Sequence, residues 1–586
     1  MKEIMSPFRR RMEMKDRYFA MRAHFLDREV NGECFFKLKE LEERWFCSLK
    51  NVKRILHQFE ESGRLTYVPG AGRGNPSKLT FRDPFQKEVE DFMKDCMENR
   101  KLDQAAQLLR LPIPKSWIAK ATSDIRDMFG LKRGTESKDV LHAFITRDFT
   151  TLDPLKVSIS FESHLIEYLG DTLVKYDEKK DTILPHIAHH FESDGDKKWT
   201  FHLRKGVFFH HQETLTSKDV AYTIERIKDS EESSHQWLAE DIETVECPGP
   251  YKVSITLKKE NPFFLRYIAS SNFCILPANQ AFNEEEWIGT GPFLLKERSE
   301  NKLVLEAFDH YFLERPLLDE LHFYKVSQDA ANIVDFTVQH PPTEEVMSKH
   351  EIETGFRFLM CNLRRQTVIQ HASIRKALYQ LMDINRMADD LGWEHWVEAS
   401  SFVNSRSSPQ KKDSETILSL LKEAGYTGEP ITIYHMHYQK AFEVADWYKK
   451  QGEEYGLNFV LHPFTFPDFY LRDIDEKADL IFMGEVSSLD PHLSFLAAFY
   501  NDTLLFRRMF PVDSLQWIDG KLELFKQEDA ENRERIMMEI EDHIRKNNLL
   551  LFQHHPIKTR TFHPMIKDVM FHSFGHFDFS KLWIPR

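Results

Sequence analysis

The strongest constraint on this chain is a gap of two residues. Leu38, Leu41 and Trp45 mark one short amphipathic helix, and Leu49, Val52, Ile55, Leu56 and Phe59 mark the apolar side of another that runs from Ser48 to about Glu61. Only Phe46–Cys47 separates them. Two short helices with so tight a connection suit a helix-turn-helix. Ser48 supplies the N-cap of the second helix, whose other side carries Lys50, Asn51, Lys53, Arg54, His57 and Gln58. Lysine and arginine there supply phosphate affinity, and Asn51 or Gln58 has the amide needed to read an adenine edge. Met14, Tyr18, Met21 and Phe25 predict a preceding helix with one buried face.

The segment after the second helix strengthens the reading. Arg64–Val68 and Ser77–Phe81 alternate like strands, and Pro69–Pro76 between them (PGAGRGNP) has the glycines of a tight hairpin tip with Arg73 near its apex. A basic hairpin directly after a recognition helix is the wing of a winged helix. Arg73, Asn75, Ser77 and Lys78 are its candidate DNA contacts. The glycines do not have nucleotide-loop spacing, and a strand rather than a helix comes after them.

Charge separates this head from the rest. The whole chain of 586 residues has a formal net charge of -14, an average that argues against a nucleic-acid coat. Residues 1–82 hold 18 Lys/Arg against 11 Asp/Glu, net +7, so the other 504 carry -21. No apolar run approaches the ~18–20 residues of a membrane span. The charged N-terminus lacks the apolar core of a secretory signal, which sets the expectation of a cytoplasmic protein with no membrane partner. The six cysteines, Cys34, Cys47, Cys96, Cys247, Cys274 and Cys361, include no CxxC pair and are expected to be reduced thiols. His210 and His211 are adjacent on a strand and point to opposite faces, which makes them poor joint ligands. With no paired carboxylates, nucleophile elbow or P-loop, we expect neither an enzyme nor a metal or other cofactor.

Residues 83–137 read as a helical connector, with a helical stretch over Phe85–Leu111 whose apolar face Leu102–Leu111 continues, and a further helix from Ser116 to about Met128. From residue 138 onward strands alternate with helices. Several local patterns in order carry a resemblance: Thr151-Leu-Asp-Pro154; Leu184-Pro-His-Ile-Ala-His-His-Phe191; Asp194 through His210 (DGDKKWTFHLRKGVFFH) followed by Leu215-Thr-Ser-Lys-Asp-Val220; Gly289-Thr-Gly-Pro-Phe293; Ile374-Arg-Lys-Ala-Leu378; Leu421-Lys-Glu-Ala-Gly-Tyr426; and Ala478-Asp-Leu-Ile-Phe482. Together they resemble the family 5 extracellular solute-binding proteins. Locally, we expect Trp199–Leu203 and Val207–His210 to pair through the turn Arg204–Gly206, a helix capped at Thr216 or Ser217, and a tight loop at Gly289 and Gly291.

The resemblance implies a two-lobed α/β periplasmic-binding-protein-like body (type II, family 5) over residues 138–586, with a ligand held between the lobes. It implies cleft candidates Thr290, Asn362, Ser487, Ser488 and Asp490. Hinge crossings are expected near Phe356–Leu363 and within 500–550, with helix 531–546 and strand 549–555 returning to the first lobe. Glu485 and Asp490 are the acidic candidates where peptide binders hold an amino group, and neither fits that position well. The fold class is therefore multidomain: a small α+β winged helix-turn-helix head, a connector and the large body. This fusion resembles the SgrR-type transcriptional regulators. The resemblance implies double-stranded operator DNA as one partner and a small molecule, a sugar phosphate or peptide, as the other. The alternative is a peptide- or nickel-type solute receptor of an ABC transporter.

Overall fold

The computed structural model describes residues 14–45, 47–70, 75–99, 101–114, 116–117, 130–133, 138–230, 233–326, 347–352, 354–408, 410–486, 488, 490–562 and 578–583. The head is built from α1 (Met14–Phe25), β1 (Glu33–Phe36), α2 (Leu38–Trp45), α3 (Leu49–Glu61), β2 (Leu65–Val68) and β3 (Ser77–Phe81). Its antiparallel sheet has the order β1-β3-β2. Ser48 caps α3 by accepting the Asn51 amide. Val52, Ile55, Leu56 and Phe59 are buried as the periodicity predicts, whereas Leu49, in the first turn, stays exposed at 42%.

The connector is not a separate spacer. Its helices α4 (Phe85–Glu98) and α5 (Leu102–Leu109) bury Val89, Met93, Ala105 and Leu108 in the same core as Tyr18, Phe36 and Leu56. That core also contains Tyr324 and Val326 of the body. Arg22 fastens the arrangement. Its fully buried guanidinium pairs with Glu88 at 2.6 Å, donates to the Asp83 carbonyl at 2.8 Å and lies 4.1 Å from the Phe81 ring centre. Of the further helix expected from Ser116 to about Met128, all but Ser116 and Trp117 lies outside the described residues. Residues Gly130–Arg133 are a strand, the edge of a body sheet paired to Asp139–Ile145.

The first lobe contains a five-stranded sheet, ordered 293–298, 302–307, 320–325, 139–145, 130–133, and a four-stranded sheet, 242–249, 252–257, 198–203, 188–194. Lys198–Leu203 is sandwiched between 188–194 and 252–257. Both of its edges are therefore taken, and Val207–His210 does not pair with it. Gly206, at φ +75°, turns the chain away, and Phe208 makes only an isolated bridge to Thr214. The expected cap is present: Thr216 and Asp219 close a capping box on helix Ser217–Asp229.

The second lobe is a five-stranded sheet ordered 458–464, 430–436, 480–486, 355–361, 550–552. This corrects the expected hinges. Gly355–Cys361 is an interior strand here, and Leu550–Phe552 pairs with it, so neither is a crossing and neither returns to the first lobe. Both are almost wholly apolar and buried, as an interior strand and its neighbour must be. The first-lobe sheet holds the chain up to Lys325 and the second-lobe sheet takes it from Gly355 to Phe552, with Met347–Ile352 paired to His554–Phe562. The return to the first lobe is made by Phe579 and Leu582, packed with Tyr168 and Phe323.

Candidate DNA face and interlobe seam

On α3 the apolar stripe faces inward, which turns Lys50, Lys53, Arg54 and His57 outward and leaves all four exposed. Arg54 donates to the Asn51 side-chain oxygen from Nε and Nη2 at 3.1 and 2.9 Å. The two residues thus form one hydrogen-bonded unit. His57 lies 3.2 Å from Glu60. Gln58 is half-buried beside them. Ser48 is engaged as the cap. In the wing, Asn75 is exposed, but Ser77 is buried and accepts the Gly70 amide at 3.2 Å, which makes it a strut of the hairpin base. Lys78 is ion-paired to Glu33 at 2.7 Å. Arg73 lies outside the described residues. The structure therefore brings the helix cations onto one open surface, while Ser77 and Lys78 already have partners within the head.

The two lobes meet along a seam. Its centre is Arg266, which donates to Asp490 of the second lobe at 2.7 Å, pairs with Asp181 of its own lobe and stacks over Tyr176. Asp490 is also the N-cap of helix Pro491–Tyr500, accepting the His492 and Leu493 amides. Burial raises the Asp490 carboxyl, with Arg266 and the cap amide opposing. Its Oδ2 is buried without a hydrogen-bond partner among the described residues. Around this pair, Phe263 packs on Phe525, Trp237 on Tyr500 and Arg533 over Phe263. Lys259 reaches Glu523 at 2.7 Å, and Asn501 donates to Ser158 at 3.2 Å.

Of the other cleft candidates, Thr290 is fully buried in the first lobe, hydrogen-bonded to Asp171. It sits in the expected tight loop, where a Cβ on Gly291 would come 2.3 Å from the Tyr168 carbonyl. His210 staples the same loop, accepting the Gly289 amide at 3.3 Å, and burial lowers its imidazole to about 4. Asn362 is fully buried and donates to the Asp475 and Ala478 carbonyls. Ser488 is exposed and bonds within its own turn, to Asp490 O and Ser494. Ser487 lies outside the described residues. Among the described residues, Asp490 alone of the five candidates touches the opposite lobe.

Sequence reasoning named Glu485 and missed its neighbours. Glu485 is the penultimate residue of the strand Leu480–Val486, five residues before Asp490 in the sequence. On the neighbouring strand Phe356 stands opposite Glu485 and Arg357 opposite Gly484, where a Cβ would stand 2.5 Å from the Arg357 Nη1. Burial pushes the Glu485 carboxyl up to about 8 against the pull of Arg357, yet the residue stays partly accessible. His554 is likewise part-accessible and lowered to about 3, by burial first and then by Arg357 and His555, with the Trp393 ring 4.6 Å away. Groups that are heavily desolvated but not sealed are candidates for a functional role. The arginine in the interior strand Gly355–Cys361 was the available signal, since an unneeded charge is costly there.

Residues 182–504 match the bacterial extracellular solute-binding proteins, family 5 Middle, and residues 13–121 match the sugar transport-related sRNA regulator N-terminal family. The chain is 29% identical over 565 residues to the uncharacterized protein YhjP of Bacillus subtilis, spanning 94% of this chain and 96% of that one. It is 24% identical over 562 residues to the HTH-type transcriptional regulator SgrR of Yersinia enterocolitica, spanning 93% and 94%. In structure it resembles NikZ from Campylobacter jejuni, solved in complex with Ni(L-His), at TM-score 0.64 and 20% identity over 75% of this chain and 98% of that one. A dipeptide-binding protein from Pseudoalteromonas, solved with Met-Leu, is similar at TM-score 0.68 and 17% identity over 76% and 100%.

Proposed function

Because this chain belongs to the family 5 bacterial solute-binding proteins and carries an SgrR-type N-terminal domain, we propose that it is a ligand-responsive transcription regulator acting in the cytoplasm. The observation that carries the reading is the open cation face of α3, on a head whose core is continuous with a two-lobed binding body through Tyr324 and Val326. Lys50, Lys53 and Arg54 hold operator phosphates and the Arg54–Asn51 unit faces the bases. The ligand is a small polar molecule held between the lobes. Asp490 and Arg266 latch the lobes over it.

Coupling arises from the connections. The α5 residue Asp103 pairs with Lys302 of the first lobe at 3.1 Å, and Arg22 ties α1 to α4. A lobe movement that strains the body sheet is felt by the head core. Coupling of this kind is typically worth about 1–3 kcal/mol. Relatives named as regulators support the assignment.

Capture of fragmented genomic DNA by the full chain, followed by mobility shifts on the enriched fragment, tests the reading. Discrete retardation that weakens when Lys50 and Arg54 are both replaced by alanine is the expected result. Uniform binding to all fragments, unchanged in the variant, refutes it. The fold itself favours one rival, a transport receptor for solutes. Cell fractionation decides between them: a surface-exposed or periplasmic pool supports the receptor.

A further inference from the structure

A cavity of about 500 Å³ opens in the second lobe. It lies between helix Ala372–Leu381, the segment Ala399–Lys412 and the C-terminal end of helix Ala530–Asn547. That helix carries Arg533 at the seam and Arg545 at the cavity, twelve residues or about 18 Å apart along a helix, so the two places are distinct. The volume is in the range of small-molecule sites, roughly 300–1,000 Å³. Leu550 and Phe552 give the cavity an apolar floor.

One lining group is an amine set up to react. Lys412 holds its Nζ 3.3 Å from the centre of the Tyr379 ring, and both side chains line the cavity. The lysine is partly accessible, as an attacking group must be. No carboxylate lines the cavity. Burial lowers the ammonium to about 8, against the pull of Glu398 and Asp383. At pH 7 about a tenth of Lys412 is then free amine, against roughly 0.04% of an ordinary lysine near 10.4. A lysine desolvated in this way is the activated form that condenses with carbonyl compounds.

The neighbouring cations select the carbonyl compound. Arg545 is already engaged by the Ser400 carbonyl and Asp542. Lys376 and Lys546 are exposed beside the cavity and remain for an anion. An amine, two lysines and an apolar floor suit one molecule with a carbonyl, a carboxylate and an organic side chain. With the carboxylate on the atom next to the carbonyl, charge and reacting carbon are met together.

We propose that Lys412 forms a reversible imine with a 2-oxo acid in this cavity, the carboxylate on Lys376 and Lys546 and the side chain over Phe552 and Leu550. The lone pair of the free Nζ attacks the carbonyl carbon, the C–N bond forms as the carbonyl π bond opens, and the proton shed by nitrogen goes to oxygen. Loss of water from this carbinolamine makes the C=N bond. The net change is amine plus oxo acid to imine plus water, with no oxidant or reductant, and hydrolysis reverses it. The site is separate from the interlobe ligand and does not rest on that reading.

Treating the full chain with phenylpyruvate and sodium cyanoborohydride, which reduces an imine to a stable secondary amine, tests this by peptide mapping in a mass spectrometer. At pH 7 the adduct is expected on Lys412 and not on Lys411, its exposed neighbour. Lys412→Arg keeps the charge, removes the attacking amine and should abolish the adduct. Lys376→Ala, at an exposed position, should lower the yield severalfold, and Asp490→Asn at the seam should leave it unchanged. The methyl ester of phenylpyruvate, which lacks the anion, should label Lys412 more weakly than the acid. No adduct on Lys412, labelling spread over the exposed lysines, or an undiminished total in Lys412→Arg overturns the proposal. Mapping of the wild-type chain reads the site directly, so a poorly folded variant does not shield it. Equal labelling by the ester, or full yield in Lys376→Ala, overturns the carboxylate half of the assignment. A loss in Asp490→Asn equal to that in Lys412→Arg overturns its independence of the seam.

Discussion

Replacing Arg266 with methionine should open the body. The Arg266 side chain is 9% exposed and that of Asp490 5%, and the pair is the one described ion pair across the seam with both partners this buried. Deleting one partner of a buried pair costs about 3–5 kcal/mol, because the other charge is left without compensation. The remaining polar contacts are weaker. Lys259–Glu523 is half-exposed on both sides and contributes about 0–1 kcal/mol. The Gln527 side chain donates to the Glu260 carbonyl at 3.0 Å, worth about 1 kcal/mol. Opening lets water reach Asp490, so the system relieves the penalty by separating the lobes rather than by unfolding. A shift of about 3 kcal/mol changes the closed-to-open ratio by roughly 150-fold. Methionine retains much of the apolar stem against Tyr176 and Phe263, which keeps the first lobe folded. Small-angle scattering of the ligand-free proteins is the assay. The variant should show a larger radius of gyration and a longer maximum dimension, and Asp490→Asn should shift in the same direction by less. Superimposable scattering curves with equal melting temperatures would refute the latch.

Other outcomes rest on the same geometry. Replacing Lys50 and Lys53 with alanine should reduce the slope of log K against log[salt] by about 0.9 for each phosphate no longer held, read by mobility shift over a salt series. Arg22→Met removes a fully buried charge from Glu88 and Glu29, and should lower stability against urea by about 3–5 kcal/mol while weakening DNA binding. Glu485 has a folded pKa raised to about 8, above its unfolded value of 4.5. Its contribution is therefore fully present below about 4.5 and lost as pH rises through 8. Glu485→Gln should match the wild type in acid and become the more stable protein at alkaline pH, as measured by thermal melting across that window.

The head was legible because each local rule agreed with its neighbours. Val52, Ile55, Leu56 and Phe59 are spaced for one helix face, Ser48 caps it, and the alternation of Leu65 to Val68 and Ser77 to Phe81 gives the wing strands. Leu49 departed from the pattern because the first turn of α3 overhangs the core. The partners of the wing residues were not legible: composition shows that Ser77 and Lys78 are polar, not that a Gly70 amide and Glu33 engage them. In the body, motifs located the helix cap at Thr216 and the loop at Gly289 to Gly291, both set by local backbone geometry. The lobe crossings were misplaced because Gly355–Cys361 reads as an apolar run wherever it lies, and only its pairing with 480–486 and 550–552 assigns it to one sheet. The surroundings of Glu485 were the least legible part. Arg357, Glu485 and His554 are far apart in sequence, and nothing local says that the missing side chain of Gly484 makes room for a guanidinium.

Tyr324 and Val326 end a strand of the first lobe, yet their side chains belong to the hydrophobic core of the head. A chain cut between head and body would therefore leave two raw apolar surfaces rather than two finished domains. The same holds for recombination between genes: a head transplanted onto another binding protein would arrive without the two side chains that complete it. Exchange of whole regulators, with strand Glu320–Lys325 travelling alongside the winged helix, is the route that preserves folding, so diversification of ligand specificity is expected to proceed by substitution within the lobes and not by shuffling of heads.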